Sequence, residues 1–373
     1  MNYNLDKKYG PEWAILFSVA SMLKDDKIIE DILSSYQIDW GKLLTQAMNH
    51  KIAPMLCWKF IRSETLFNLL PPFTNQYFKM IYDVNRLKVQ IFKKEAIRIT
   101  EIMKQRNIPC VLTKGILLDN ELYSNEGYRF LSDIDFIASA NDKQTICATL
   151  NDIGYTAGTI NWRTHEIINW KSNDIEHYEK DGYYWDNTKI SEHVKLIDEM
   201  AINFISLGFC TELSWETAGF YVSPDEALTS RITADIGLND AGVPSLNPVY
   251  HFIYIILHLY KHAWVTDTAK WNNDVNLVKF ADVYHFYQKH KKILNDELLE
   301  TIELYDIMQP ITWTLYHVDD CFGSNTLQEL GLVNFLDRDK INCSLDKNGN
   351  LIYFEGNMMD RLESTNRCNL IKN

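Results

Sequence analysis

Cysteine is sparse and unpatterned in this chain. Its seven cysteines (Cys57, Cys110, Cys147, Cys210, Cys321, Cys343 and Cys368) are scattered, odd in number and free of any CxxC pair, so neither a disulfide framework nor a cysteine zinc site is indicated. Long hydrophobic runs are missing too. The most apolar stretch, Phe252 to Tyr260, is interrupted by His258 and is too short to span a bilayer. The opening residues MNYNLDKKYG lack the apolar core of a signal peptide, so a cytoplasmic protein without a membrane partner is expected. There is no GxSxG elbow, Walker A sequence or GxGxxG fingerprint, which leaves serine hydrolases, P-loop kinases and dinucleotide dehydrogenases without positive support. Positive charge is in deficit: 37 Lys and Arg stand against 50 Asp and Glu, a net charge of −13. Binding to nucleic acid depends on neutralising phosphates, so a long nucleic-acid substrate is not expected.

The remaining composition is that of an ordinary globular protein, with 46% hydrophobic and 23% charged residues over 373 positions. That length suits two or three structural units. Residues 1–106 read as an N-terminal helical region, with three- and four-residue apolar spacing over Glu12 to Leu23, Ile28 to Tyr36, Trp40 to Phe60 and Phe73 to Met103. The basic stretch from Arg86 to Arg106 fits the solvated face of an amphipathic helix. Strands and helices alternate over 107–222, with a helix at Asp142 to Ile153 and an Asn-, Trp- and Tyr-rich loop or hairpin over 156–189. Residues 223–373 read as a C-terminal helical region with helices at Pro248 to His262, Asn273 to His290 and Asp296 to Leu315, and a tail hairpin around Asp346 to Asn350. The expected class is α+β: a small mixed sheet with helical flanks.

The most informative segment is VLTKGILLDNELYSNEGYRFLSDIDFIA, residues 111 to 138. In a strand, side chains at i and i+2 share a face, so Asp133 and Asp135 lie together, opposite Ile134, Phe136 and Ala138. Adjacent carboxylates raise each other's pKa unless a cation sits between them, and magnesium held by carboxylates and completed by substrate phosphates is the usual remedy. An isolated Asp-x-Asp is more often a solvated turn, but the apolar flanks here are strand-like. Upstream, the strand Ile108 to Leu112, the turn Thr113-Lys114-Gly115 and the helix start at Ile116 offer free N–H groups and a cation suited to phosphate.

These residues resemble the uncharacterised nucleotidyltransferase family of the polymerase-beta-like superfamily. The matching positions are Leu112, Lys114, Gly115, Tyr123, Gly127, Arg129, Ser132, Asp133, Ile134, Asp135 and Phe136. Lys-Gly stands where typical nucleotidyltransferases carry a Gly-Ser turn. Two weaker echoes flank this core: Leu43 to Leu56, and His258 to Trp264 followed by Val278 to Asp282. The resemblance implies that Asp133 and Asp135 hold magnesium, with manganese as a substitute. It implies that Lys114, Gly115 and Ser132 bind nucleotide phosphates, and that Arg129 braces the aspartates or stabilises charge in the transition state. It leaves His262 near the nucleotide. A third carboxylate is expected from a later strand, and two positions offer one. Glu192 is displaced by one residue from the family pattern and needs a bulge to reach the metals, but it is favoured by its distance from the aspartate pair; Glu212 is favoured by strand parity and is the one named as a metal ligand.

The expected activity is transfer of a nucleotidyl group from a nucleoside triphosphate such as ATP to a hydroxyl of a small molecule, peptide or protein. Two other readings stand beside it. One is glycosyl transfer from a nucleotide-sugar on the same fold; the other is a non-catalytic nucleotide-binding or toxin–antitoxin module. His258 and His262, at i and i+4, lack a nearby carboxylate or cysteine and read as core or interface histidines rather than zinc ligands.

Overall fold

The structure is a computed structural model that describes residues 8–22, 25–124, 127–169, 189–199, 202–213, 219–238, 242–264, 269, 272–346 and 349–372. Ahead of the strand Cys110–Thr113 the described residues include the helices α1 (Pro11–Ala20), α2 (Lys27–Ser35), α3 (Trp40–Asn49), α4 (Ala53–Arg62), α5 (Glu64–Asn68) and α6 (Thr74–Gln105). The stretch from Trp40 to Phe60, read as one helical run, is broken between α3 and α4. There Lys51 takes a left-handed φ of 58°, and the Ile52 N–H closes the turn on the Ala47 carbonyl at 2.9 Å. This is a helix C-terminal turn with a lysine in the position that glycine usually fills.

Eight of the described strands form one mixed sheet in the order β4-β3-β5-β6-β2-β1-β8-β7. Its members are β1 (Cys110–Thr113), β2 (Ile134–Ala138), β3 (Thr156–Ile160), β4 (Ile167–Asn169), β5 (Lys189–Glu199), β6 (Ile202–Cys210), β7 (Ile232–Asp235) and β8 (Gly242–Ser245). β1 runs antiparallel to β2, with Thr113 opposite Asp135, and β2 runs parallel to β6, with Asp135 beside Gly208. β7 and β8 lie in a region read as helical; β8 pairs in parallel with β1, and β7 forms the edge beyond it. β3 and β4 pair as a hairpin, so the expected hairpin begins where it was placed, while residues 170–188 of that loop lie outside the described residues.

The sheet separates two apolar clusters. Leu112, Ile134, Phe136 and Ala138 pack with Phe92, Ala96, Ile99 and Met103 of α6 on one face. Val111, Ile137 and Cys210 face the other cluster, which continues through helices from both ends of the chain. That second cluster includes α7 (Gly115–Tyr123), α8 being the helix Lys143–Asp152 on the first face, then α9 (Pro224–Thr229), α10 (Pro248–Trp264), α11 (Leu277–Leu304) and α12 (Met308–Phe322). The expected helices Asn273 to His290 and Asp296 to Leu315 are divided differently. α11 runs on through a local kink at His290, and the break falls instead at Asp306, whose φ is 51°. A tail hairpin of β9 (Cys343–Leu345) and β10 (Leu351–Tyr353) forms where expected, followed by α13 (Met358–Glu363).

Candidate active site

Asp133 and Asp135 stand at the start of β2 and line one cavity of about 360 Å³. Strand periodicity puts them on the face away from Ile134 and Phe136, which are buried in the α6-side cluster. Asp135 is 5% exposed and Asp133 half-buried. The Ser132 hydroxyl donates to Asp133 Oδ1 at 2.9 Å, so its expected phosphate contact is taken up by an aspartate here, although Ser132 still lines the cavity.

Lys114 follows directly from Thr113, the residue opposite Asp135, and its Nζ lies 3.0 Å from Asp135 Oδ2. Its backbone is unusual, with φ 49° and ψ −131°, a region that non-glycine residues avoid. Two contacts hold it there: the ammonium on Asp135, and the backbone N–H, which donates to His251 Nε2 at 3.3 Å. Burial drives the His251 pKa down to about 4, so this imidazole stays neutral and can accept. Gly115, the next residue, is needed for space. A Cβ there would stand 2.9 Å from Leu131 Cδ2 and 3.5 Å from Arg129 Nη1.

Arg129 lines the same cavity, but its guanidinium is forked onto Asp282 of α11. Nε lies 3.1 Å from both carboxylate oxygens and Nη2 2.6 Å from Oδ2. The Tyr123 hydroxyl donates to Oδ1 of the same carboxylate at 2.8 Å. Arg129 therefore ties the segment before β2 to a C-terminal helix through Asp282 instead of bracing Asp133 and Asp135. Burial opposes its charge, yet Asp282 more than offsets this and holds its pKa above the ordinary value. The loop before it is fixed by Asn85, whose amide donates to the Gly127 and Arg129 carbonyls at 2.7 and 3.1 Å. Gly127 has φ 71°, and a Cβ there would press to 2.9 Å from the Arg86 Cα, so the glycine is required twice over.

The cavity is also lined by two lysines that the sequence gave no role, Lys51 and Lys279. Neither ammonium makes an ion pair among the described residues, and Lys279 is only 9% exposed. Burial, reinforced by Lys51 and Lys114, pushes the Lys279 pKa well below its ordinary value. Burial lowers that of Lys51, and Asp133 partly restores it. A single histidine brings the two lysines together. His50 Nδ1 accepts from the Leu277 N–H at 3.1 Å, and its Nε2 lies 3.1 Å from the Leu362 carbonyl. Lys51 is the next residue, and Lys279 sits in the first turn of α11, which Asn276 caps at the Lys279 N–H. His262 and His258 also line the cavity, with ring centroids 4.7 Å apart. Burial and the neighbouring lysines hold both pKa values well below 6.5.

The strand register places the two candidate third carboxylates differently. β6 runs parallel to β2 with Leu207 beside Ile134 and Cys210 beside Ile137, so Glu212 lies past the far end of the pair, away from Asp133, and does not line the cavity. Glu192 is placed opposite Gly208, and Gly208 lies beside Asp135. The β5–β6 register also shifts between Lys189 and Glu192.

Asp133 and Asp135 provide hard oxygen donors in the number that magnesium takes from protein when phosphates fill its shell, and the adjacent lysines suit those phosphates. The residues present thus fit such an ion. Among the described residues there is no group of three or more His, Cys, Asp or Glu that could hold a metal ion. No helix among the described residues is long and apolar enough to cross a membrane.

A family model described as an uncharacterised nucleotidyltransferase matches residues 36–323, which takes in the β2 aspartates, the Lys51 corner and the Lys279–Asp282 turn. No curated protein matches the chain.

Proposed function

The chain belongs to the uncharacterised nucleotidyltransferase family, and from that premise we propose that it moves a nucleotidyl group from a nucleoside triphosphate to a hydroxyl of a small molecule, peptide or protein. The observation that carries this reading is the pairing, across one cavity, of two β2 carboxylates with two lysines that lack an ion-pair partner among the described residues. A buried ammonium without a counter-charge is costly, and a polyphosphate is the ligand that would supply one.

In this reading Asp133 and Asp135 hold magnesium, with Glu192 as the third carboxylate. The ion, when bound, orients the triphosphate and polarises the acceptor oxygen. Lys51 and Lys279 take charge on the β- and γ-phosphates. Lys114 is shared between Asp135 and the donor, and the N-terminus of α7 turns its free N–H groups to the same side. Neutral His258 and His262 neighbour this cluster without adding to its positive charge. The reaction joins the acceptor oxygen to the α-phosphorus and releases pyrophosphate and the hydroxyl proton. The net charge of −13 favours a small or peptidic acceptor over a polynucleotide.

The test is calorimetric binding of ATP, GTP, CTP and UTP with and without magnesium, beside pyrophosphate release. Magnesium-dependent binding is expected, lost in Asp133→Asn with Asp135→Asn. Lys279→Met is expected to weaken binding while raising folding stability by on the order of 1 kcal/mol or more, because it removes a buried unpaired charge. Binding of nucleotide without turnover of any acceptor would favour a regulatory module. Binding of nucleotide-sugars but not triphosphates would favour glycosyl transfer.

A further inference from the structure

The first half of α6 carries an apolar stripe that the fold leaves uncovered. Phe73, at its N-cap, is 70% exposed, and Tyr77, Met80, Val84 and Leu87 follow at 62%, 60%, 45% and 39%. Ile91 continues the row and is partly buried against the sheet-side cluster. The steps from Phe73 to Ile91 alternate between four and three residues, a 3.5-residue repeat. That is the seam two helices need to pack along their length, and a narrower face than a helix presents to its own core. Phe73 also holds a left-handed φ of 70°, which is unfavourable for a bulky residue, so the most exposed aromatic of the stripe is displayed at a backbone cost.

We propose that this face is the interface of a two-fold dimer in which α6 packs antiparallel against α6 of a second copy. The stripe is self-complementary in that direction. Exposure falls steadily from Phe73 to Ile91, so the projecting end of one copy meets the receding end of the other. The layers are Phe73 with Ile91, Tyr77 with Leu87 and Met80 with Val84, each formed twice about an axis near Tyr82. Large side chains thereby oppose smaller ones. Charge does not obstruct the pairing. Gln76, Asp83 and Gln90 flank the seam on one side, and Asp83 is already neutralised within its own helix by Lys79 at 2.9 Å and Arg86 at 4.0 Å. The area is sufficient. The exposed part of the stripe amounts to roughly 500 Å² per chain, more than an ordinary surface leaves scattered. Two copies would bury about 1,000 Å², the size at which an interface becomes specific. A two-fold axis uses one patch twice and closes the assembly.

The experiment is sedimentation equilibrium of the full chain across the micromolar range, beside Met80→Glu and Met80→Leu. A concentration-dependent dimer is expected for the parent chain and for Met80→Leu. Met80→Glu should raise the dissociation constant about a hundredfold or more by placing a carboxylate in a layer of the seam. Its circular dichroism should be unchanged, because Met80 is exposed in the monomer. Oxidising a mixture of Met80→Cys and Val84→Cys chains should give cross-linked heterodimers in excess over homodimers of either, with the unsubstituted chain as control. A parent chain that stays monomeric throughout overturns the proposal, as does a dimer that survives Met80→Glu. A membrane or an unrelated protein as the true occupant would show itself as that monomer.

Discussion

At the scale of single residues, the Lys-Gly turn divides its duties in an unexpected way. Glycine is the residue that ordinarily takes a positive φ, yet here it belongs to Lys114, while a Cβ on Gly115 would stand only 2.9 Å from Leu131 Cδ2. A residue in such a conformation costs about 1–3 kcal/mol, and the ion pair to Asp135 holds it in place. Lys114→Ala and Lys114→Gly both delete the ammonium and leave Asp135 buried without it, so both should be destabilised and both should bind nucleotide more weakly. They differ only in strain. Glycine ordinarily loses to alanine by roughly 0.5–1 kcal/mol through its flexible unfolded state. Here the order should reverse, with the glycine variant more stable by about 1–2 kcal/mol in urea unfolding. Equal stability, or alanine ahead, would show that the Lys114 backbone stores no strain.

At the scale of elements, what was legible follows local periodicity, and what was not depends on pairing between distant strands and helices. The alternation around Asp133 and Asp135 was enough to place both on one face, because a strand's side chains alternate whatever it pairs with. The choice between Glu192 and Glu212 needed the β2–β6 and β5–β6 registers, which no local pattern encodes. Arg129 was recognised, but its partner Asp282 lies on α11, and a lone acid within the apolar run Phe280-Ala281-Asp282 was the one available hint. Lys51 was hidden for a similar reason: its left-handed φ ends α3, where the sequence offered an unbroken helical spacing. The registers give a direct test. Glu192→Gln should lower turnover about a hundredfold or more if it completes the carboxylate set, with nucleotide affinity in the absence of metal little changed. Glu212→Gln should leave turnover within a few-fold of the parent. A loss of activity confined to Glu212→Gln would return the third carboxylate to the residue that strand parity preferred.

At the scale of the whole molecule, the site is assembled by contacts that bridge the chain's two ends, and several of them depend on neutral histidines. His50 receives the Leu277 N–H on Nδ1, which a protonated ring could not do. His251 receives the Lys114 N–H in the same way. His317 is buried beside the tail, with Nε2 3.0 Å from the Ile341 carbonyl. Burial, the largest cause in each case, pushes their pKa values from 6.5 to about 3, about 4 and about 3 respectively. Above about pH 6.5 they exert no effect on stability. As pH falls through that value the unfolded chain takes up protons that the folded chain refuses, so stability drops until the folded pKa values near 3 to 4 are reached. Each histidine contributes up to about 1.4 kcal/mol per pH unit across that window. The corner that joins Lys51 to Lys279 should therefore loosen in mild acid, before most carboxylates titrate. His317→Gln lies away from the cavity and preserves a donor to Ile341, so it should flatten the slope of unfolding free energy between about pH 6 and pH 4.5 by one histidine's share, about 1.4 kcal/mol per pH unit. An unchanged slope in that variant would place the acid sensitivity in carboxylates, such as Asp274 with its partners Arg361 and Arg367, rather than in buried imidazoles.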